Sequence, residues 1–143
     1  MPEPKRVLVL CTGNSCRSAM AEGWINHCLS PVWQARSAGT RPADAVSPLA
    51  VRAMAEVGID ISRHRPEHLG VYLDQPWDLV VTVCDAAREL CPVFPHSVRT
   101  LHVSFPDPAD AVGSDEERMV SYRATRDAIR DRLLPELAGL DKR

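Results

Sequence analysis

The chain has 143 residues, of which 45% are hydrophobic and 25% are charged, a balance typical of one globular domain. Its formal net charge of -2 argues against a basic nucleic-acid surface and against a polybasic membrane anchor. No segment approaches the run of about 20 apolar residues that a membrane helix needs, and the apolar run behind the N-terminus is too short for a secretory signal. We therefore expect a single domain over residues 1–143, monomeric and cytoplasmic, without nucleic-acid or membrane partners.

Short apolar runs alternate along the chain with segments of helical periodicity. The first half indicates a strand, a helix, a strand and a helix, over residues 6–10, 18–29, 32–38 and from Pro48 to a stop at Gly58. Cys28 lies on the inward stripe of the first helix with Trp24 and Ile25, so we expect it in the core. The tryptophans are expected to be packing residues.

The second half continues the alternation, with a strand, a short helix, a strand and a long amphipathic helix over residues 78–83, 84–91, 99–103 and 115–137. Pro135 is expected to kink the last helix or to end it early. This alternation predicts an α/β fold, a three-layer domain with a central parallel sheet of about four strands flanked by helices. In such sheets the active site lies at the carboxyl ends of the strands.

The loop after the first predicted strand has the composition of an anion-binding site. It consists of Cys11, Thr12, Gly13, Asn14, Ser15, Cys16, Arg17 and Ser18, and a helix follows it. Gly13 permits unusual backbone conformations, so that successive N–H groups can turn inward. The helix N-terminus adds positive charge, and Arg17 presents a planar fork that can bind two oxygens at once. The loop is therefore predicted to bind a tetrahedral oxyanion.

Cys11 is the candidate nucleophile, because it ends the strand and its sulfur would face the same concavity. Helix N-termini and nearby cations can lower a cysteine pKa from about 8.5 to roughly 3.5–7.5, which favours the reactive thiolate. Ser18 could donate a hydrogen bond to this sulfur, and Asn14 could brace the loop. Cys16 is expected to be structural, with a Cys11–Cys16 zinc or redox pair as the weaker alternative.

Asp107 is the candidate general acid. It follows the last predicted strand and lies between Pro106 and Pro108, which hold it on a stiff extended segment. An oxygen that leaves the substrate as a thiolate attacks needs a proton, and a carboxyl group at this edge of the sheet can supply it. Asp110 is the lesser candidate.

The five cysteines (Cys11, Cys16, Cys28, Cys84 and Cys91) are an odd number in a chain without a signal peptide, which argues against a static disulfide framework. Cys84 and Cys91 flank a predicted helix, seven residues apart. Over that distance a helix rises about 10.5 Å, whereas a disulfide needs Cα atoms roughly 4.4–6.8 Å apart. The pair can therefore close only if the segment unwinds, and Pro92 and the short length make that plausible. The ligand spacing does not suit zinc, and no metal or cofactor is predicted.

Three thiols at one end of a sheet suggest a relay of thiol–disulfide exchange. Cys11 would attack the oxyanion, Cys84 would attack the Cys11 adduct, and Cys91 would then attack Cys84. A phosphate ester would not need these later steps, since water could complete its hydrolysis. A reducible oxyanion would need them.

The stretch VLVLCTGNSCRSAMAEGW closely resembles the N-terminus of thioredoxin-coupled arsenate reductases, which share the fold of low-molecular-weight protein tyrosine phosphatases. The resemblance continues through SAGTRP, EVGIDISRH, DLVVTVCDAARELCP and FPDPA. It implies a single catalytic domain with arsenate as substrate, phosphate as its analogue and thioredoxin as reductant. It also implies Cys11 as nucleophile, Arg17 as oxyanion ligand, Asp107 as acid, and Cys84 and Cys91 as relay cysteines.

Some members of this family bind potassium through residues that match Asn14 and Glu22 and through positions after the IDIS stretch. Here Arg65 stands where those members have a small hydroxyl residue. One hypothesis is that the charge of Arg65 replaces the ion, and the alternative is a solvated basic loop. Activity that rose severalfold when potassium replaced sodium would contradict the first.

Two other functions are compatible with the sequence. A phosphatase acting on phosphotyrosine or on small phosphomonoesters needs only Cys11, Arg17 and Asp107, so weak phosphatase activity is expected in either case. Against it as the main role, Ala109 and Asp110 stand where tyrosine phosphatases of this fold usually carry aromatic residues, and Cys84 and Cys91 would have no task. A non-enzymatic oxyanion or redox sensor is the third possibility.

Overall fold

The computed structural model describes residues 3–91 and 98–141. Its centre is a sheet of four parallel strands in the order β2-β1-β3-β4. The strands are β1 (Lys5–Cys11), β2 (Trp33–Gly39), β3 (Leu79–Thr82) and β4 (Arg99–His102). The predicted α/β fold, a central parallel sheet of four strands flanked by helices, is confirmed.

Four α-helices pack around the sheet: α1 (Arg17–Cys28), α2 (Pro48–Ala55), α3 (Asp85–Leu90) and α4 (Asp115–Asp141). Short 3-10 turns cover Leu69–Tyr72 and Pro108–Asp110. In the described ranges no helix is both long and apolar enough to cross a membrane.

The core follows from the two apolar central strands. Residues 7–10 of β1 are fully buried, and β3 is buried along its length, because both faces of a central parallel strand are covered. Two buried tryptophans attach α4 to this core through their indole N–H groups. Trp24 donates to the carbonyl oxygen of Arg126 at 3.0 Å, and Trp33 donates to that of Leu137 at 3.2 Å. Trp77 is buried too, so the expectation that the tryptophans are packing residues is confirmed.

The ends of α2 follow the predicted signals. Ser47 caps the helix by accepting a hydrogen bond from the Ala50 N–H, and Pro48 occupies the first turn, where its missing N–H costs nothing. The helix ends at Ala55, and Gly58 adopts a φ of 80° in the turn that follows. A left-handed residue of this kind is favourable for glycine and unfavourable for most others.

Three local expectations are wrong: an early end of α4 at Pro135, a helix that includes Cys84 and Cys91, and a core position for Cys28. α4 continues through Pro135 to Asp141, because Leu133 and Leu137 on either side are fully buried and hold the helix across the missing hydrogen bond. α3 is shorter than predicted, and Cys84 and Cys91 are its capping residues instead of lying within it. Cys28 is exposed, since the buried stripe of α1 ends at Ile25.

We predict that Leu133→Ala lowers the free energy of unfolding by about 2–5 kcal/mol, because it leaves a cavity beneath a fully buried side chain. Urea denaturation followed by circular dichroism measures this. The matched control is Val120→Ala on the same helix, whose side chain is 65% exposed, and it should change the free energy by less than about 0.5 kcal/mol. Equal losses in the two variants would contradict the packing described for α4.

Candidate active site

The predicted site residues meet at the carboxyl edge of the sheet. Leu10 of β1 pairs with Thr82 of β3, and the Val83 N–H donates to the Leu10 carbonyl oxygen at 2.9 Å. This register brings the segments that begin at Cys11 and Cys84 side by side. Thr12 Oγ1 lies 3.4 Å from Cys84 Sγ, so the loop after β1 directly contacts the second predicted cysteine.

The carbonyl groups of residues 11–15, in the loop after β1, are each held by another segment of the chain, and that of residue 16 is held by α1. Those of residues 11, 12, 13 and 15 accept from the segment after β2, that of residue 14 from a histidine, and that of residue 16 from α1. For residues 11, 12, 13 and 15 the donors are, in that order, the backbone N–H groups of Thr40, Arg41, Ala43 and Ser47. His64 Nε2 donates to residue 14 at 2.8 Å, and the Met20 N–H donates to residue 16. With the carbonyls held outward, the loop's N–H groups are available to the concave side, and the Asn14 N–H lies 3.2 Å from Cys11 Sγ. This is the arrangement of an anion-binding nest.

Asn14, and not Gly13, is the left-handed residue of the loop, with a φ of 52°. Its fully buried side chain compensates for this conformation with three hydrogen bonds: Nδ2 donates to Ser18 Oγ at 2.8 Å and to Ser37 Oγ at 2.9 Å, and Oδ1 accepts from the Glu67 N–H at 3.0 Å. A glycine is required instead at Gly39, where a Cβ would lie 2.4 Å from the Thr12 carbonyl oxygen.

Cys11 is 2% exposed, and its sulfur lies 2.8 Å from Ser18 Oγ. Because Ser18 Oγ accepts from Asn14 Nδ2, its own proton is free to point at the sulfur. The lowered pKa predicted for Cys11 is not what the structure shows. Burial raises the pKa of the Cys11 thiol, and the hydrogen bonds from Ser18 and Asn14 and the charge of Arg17 act in the opposite direction.

Arg17 joins the loop after β1 to the loop after β4. From the first turn of α1, its guanidinium donates to the Phe105 carbonyl oxygen at 3.1 Å and lies 3.4 Å from Asp107 Oδ2. The other carboxylate oxygen of Asp107 accepts from the Ala109 N–H at 3.0 Å and caps a 3-10 turn. The structure thus places Arg17 and Asp107 together, as the sequence predicts.

A cleft of 450 Å³ opens beside these groups, lined by Thr12, Arg17, Cys84, Asp85, Asp107 and Asp110 among others. Among its described lining residues the aromatic one is Phe105, which is 2% exposed and cannot present its ring to a ligand. The cleft wall is therefore mixed: Asp85, Asp107 and Asp110 supply carboxylates, Arg17 supplies a cation, and the remaining lining is largely uncharged.

Cys84 and Cys91 lie at opposite ends of α3. Cys84 is 4% exposed and is the N-cap, with its sulfur accepting from the Ala87 N–H at 3.3 Å. Cys91 is half-buried at the C-cap, and burial raises the pKa of its thiol. Pro92, which is expected to stop the helix, lies outside the described residues.

Cys16 is the N-cap residue of α1 and is 5% exposed. Burial raises the pKa of its thiol, as do the nearby Asp107 and Cys11. No group of three or more His, Cys, Asp or Glu side chains within residues 3–91 and 98–141 could hold a metal ion. The burial of Cys16 at the start of α1 is consistent with its structural interpretation.

The residues that sequence reasoning missed form an outer layer behind the loop. Ser37, His64 and Glu67 contact Asn14, and Glu22 accepts from Ser37 at 2.9 Å and lies 3.9 Å from His64 Nδ1. Burial raises the pKa of Glu22. Arg65 is exposed, and His64 is the residue that faces Glu22. The motifs SAGTRP and EVGIDISRH contain Ser37 and His64, and the resemblance named Glu22, but nothing in the sequence showed which of these side chains turn toward Asn14.

We predict that Ser18→Ala raises the pKa of Cys11 further, because it removes a hydrogen bond that favours the thiolate. A hydrogen bond to a charged group is worth about 1.5 kcal/mol or more, so alkylation of Cys11 by iodoacetamide at neutral pH should slow about tenfold. Peptide mass spectrometry would follow Cys11 alone across a pH series. Ser62→Ala, which removes an exposed hydroxyl, is the control, and an unchanged pH profile in Ser18→Ala would contradict the role of Ser18.

Comparison with known proteins agrees with this geometry. The family model described as low molecular weight phosphotyrosine protein phosphatase matches residues 6–143. The arsenate reductase of Halalkalibacterium halodurans is 46% identical over 129 residues, which cover 90% of this chain and 92% of that one.

Two solved structures show the same fold. A low molecular weight protein tyrosine phosphatase from T. tengcongensis has a TM-score of 0.77 at 29% identity and covers 94% of this chain and 98% of its own. A thioredoxin-dependent arsenate reductase from Corynebacterium glutamicum has a TM-score of 0.69 at 25% identity and covers 98% of this chain and 63% of its own. The chain therefore belongs to the low molecular weight phosphotyrosine protein phosphatase family, as a relative of its bacterial arsenate reductases.

Proposed function

We propose that this chain reduces arsenate to arsenite through Cys11, Cys84 and Cys91, and that thioredoxin reduces the final disulfide. The observation that carries the proposal is the contact between Thr12 and Cys84, which places a second buried thiol beside the oxyanion loop. A hydrolase of this fold has no use for that thiol. The curated relative from Halalkalibacterium halodurans is an arsenate reductase and supports the same substrate.

Arsenate would bind where the loop's N–H groups, the start of α1 and Arg17 converge. A tetrahedral oxyanion satisfies those donors from one side, and phosphate should bind there as an analogue. The planar guanidinium of Arg17 can take two of its oxygens, while the Phe105 carbonyl oxygen holds the side chain in place. The outward tethers of the loop carbonyls keep the nest formed before the substrate arrives.

In the first step the Cys11 thiolate attacks arsenic and forms an S–As bond. One As–O bond breaks, and the departing oxygen leaves as water after Asp107 supplies a proton. Asp107 is placed for this role because it lies 3.4 Å from Arg17, the proposed oxyanion ligand, and 34% of its side-chain area is accessible, so that it can reach a departing oxygen. Ser18 assists the attack by stabilising the thiolate before it reacts.

In the second step Cys84 attacks Cys11 Sγ. An S–S bond forms and the S–As bond breaks, with its electron pair remaining on arsenic. Two thiolates are thereby oxidised to a disulfide, and As(V) is reduced to As(III) and released as arsenite. Cys84 is suited to be the attacking thiol because its sulfur lies beside the oxyanion loop, 3.4 Å from Thr12 Oγ1, and is held there by the Ala87 N–H.

In the third step Cys91 attacks Cys84 Sγ, and Cys11 leaves as a thiolate. Helical rise separates the two residues by about 10.5 Å, so α3 must unwind before the disulfide closes. α3 has only six residues, and Ala87 is its buried one, so little packing opposes the change. The Cys84–Cys91 disulfide would then move outward to thioredoxin, the reductant named for the Corynebacterium glutamicum structure. Since thiols supply both electrons, we propose no resident metal or cofactor.

Weak phosphatase activity is part of the proposal. Cys11 can attack a phosphoryl group, Arg17 can bind its oxygens, and Asp107 can protonate the leaving group. The cleft does not favour it as the main function. Phe105 is buried, and Asp85, Asp107 and Asp110 line the mouth, so an acidic phosphopeptide would meet carboxylates and no aromatic surface.

The relay predicts sustained arsenate-dependent NADPH oxidation by the chain with thioredoxin and thioredoxin reductase. Cys91→Ser should stop after about one turnover, because Cys84 and Cys11 remain joined. Cys28→Ser is the matched control and should turn over like the parent, since Cys28 is exposed on α1. Absence of arsenate-dependent turnover in the parent, with clear hydrolysis of p-nitrophenyl phosphate, would replace the proposal with the phosphatase function.

The role of Asp107 predicts a dependence on the leaving group in the phosphatase side reaction. Asp107→Asn should slow hydrolysis of phenyl phosphate about 100-fold or more, because phenolate needs a proton as it leaves. Hydrolysis of p-nitrophenyl phosphate, whose leaving group is far more acidic, should fall much less. Asp110→Asn is the control and should change both rates by less than about twofold. Equal losses on the two substrates would exclude Asp107 as the acid.

A further inference from the structure

We infer that His102 is a positioning residue for Cys84, and that its imidazole bridges the chain on both sides of that cysteine. The inference rests on the proposed function, because it concerns the second step of the relay. His102 takes no part in the oxyanion loop, and it is the last residue of β4.

The imidazole contacts one residue before Cys84 and one after it. His102 Nδ1 lies 2.7 Å from Thr82 Oγ1, and His102 Nε2 lies 3.0 Å from Asp85 Oδ1. Thr82 ends β3 two residues before Cys84, and Asp85 begins α3 directly after it. Thr82 and His102 are also register partners in the sheet, so the base of the bridge is fixed by the strands.

The hydrogen bonds of this cluster are mutually consistent. A carboxylate can only accept, so His102 Nε2–H donates to Asp85, and Nδ1 then accepts from the Thr82 hydroxyl. The hydrogen bond from His102 lowers the pKa of Asp85, with a further contribution from Ser104. The Thr82 side chain is buried, that of His102 is 22% exposed and that of Asp85 is 68% exposed, so the bridge is shielded from water at the sheet and open to water at α3.

The bridge flanks Cys84, the residue whose position the relay requires to be fixed. Cys84 must meet Cys11 Sγ in line with the S–As bond, and displacement of a reacting group by about 1 Å can cost 100-fold in rate. In the next step the rest of α3 must unwind. Asp85 is the α3 residue held by His102, so residues 86–90 can unwind while Cys84 keeps its place beside Thr12. His102 thus fixes the first residue of α3 and leaves the rest of the helix able to unwind.

The experiment measures arsenite release in a single turnover on a Cys91→Ser background, where Cys84 is the last thiol to react. His102→Gln retains a side chain that can reach Asp85 but cannot bridge to Thr82. Thr82→Val removes the other contact with little change of shape. His27→Gln makes the same substitution at an exposed histidine of α1 and is the control. The affinity for inorganic phosphate, measured by calorimetry, reports whether the oxyanion loop is intact in each variant.

We expect His102→Gln and Thr82→Val to slow arsenite release at least fivefold, with phosphate affinity within twofold of the parent and His27→Gln unchanged. Release within twofold of the parent in both variants would overturn the inference. So would a parallel loss of phosphate affinity, which would mean that His102 only stabilises the fold. If the Cys91→Ser parent releases no arsenite, the proposed function fails and this inference fails with it.

Discussion

The buried, left-handed Asn14 is the constraint on which the site depends. Its conformation turns the loop after β1 so that the carbonyl groups face outward, and three hydrogen bonds from its side chain hold that turn. The groups that donate hydrogen bonds to these carbonyl oxygens belong to the segment after β2 and to His64, which are distant from the loop in sequence. The concave face is thus formed by tertiary structure, and the substrate would not have to organise it.

Holding the loop in the interior has a consequence for the nucleophile. Burial raises the pKa of Cys11, although a thiolate is the reactive form. Ser18, Asn14 and Arg17 oppose that effect, and Ser18 can do so only because Asn14 already supplies the hydrogen bond that fixes its hydroxyl. The residue that shapes the anion site therefore also orients the group that stabilises the thiolate. A substitution at Asn14 would therefore alter both the shape of the loop and the reactivity of Cys11.

The sequence was sufficient to predict the sheet and to place Cys11 in a loop between a strand and a helix, because buried strands and a strand–loop–helix motif are local patterns. Asp107 was also found, since its flanking prolines and its place after a strand are visible in one stretch. Ser37, His64 and His102 were missed, because their roles come from contacts between segments distant in the chain. The errors at Pro135 and Cys28 have the same origin: packing of Leu133 and Leu137 overrides a local helix breaker, and a helical stripe does not reveal where the core ends.

The proposed reaction needs a rigid loop and a helix that can unwind, side by side at one edge of the sheet. The oxyanion loop is held at the carbonyls of residues 11–15 by other segments, whereas α3 is six residues long with Ala87 as its buried residue, so it can unwind at little cost. Cys84 stands at the boundary between the two, in contact with Thr12 on the fixed side and capping α3 on the other. A nucleophile at such a boundary must remain ordered during its own attack and then allow its neighbour to move. The proposed His102 bridge meets the first requirement through Thr82 and Asp85, and because it holds α3 at its first residue it does not oppose unwinding of the residues that follow.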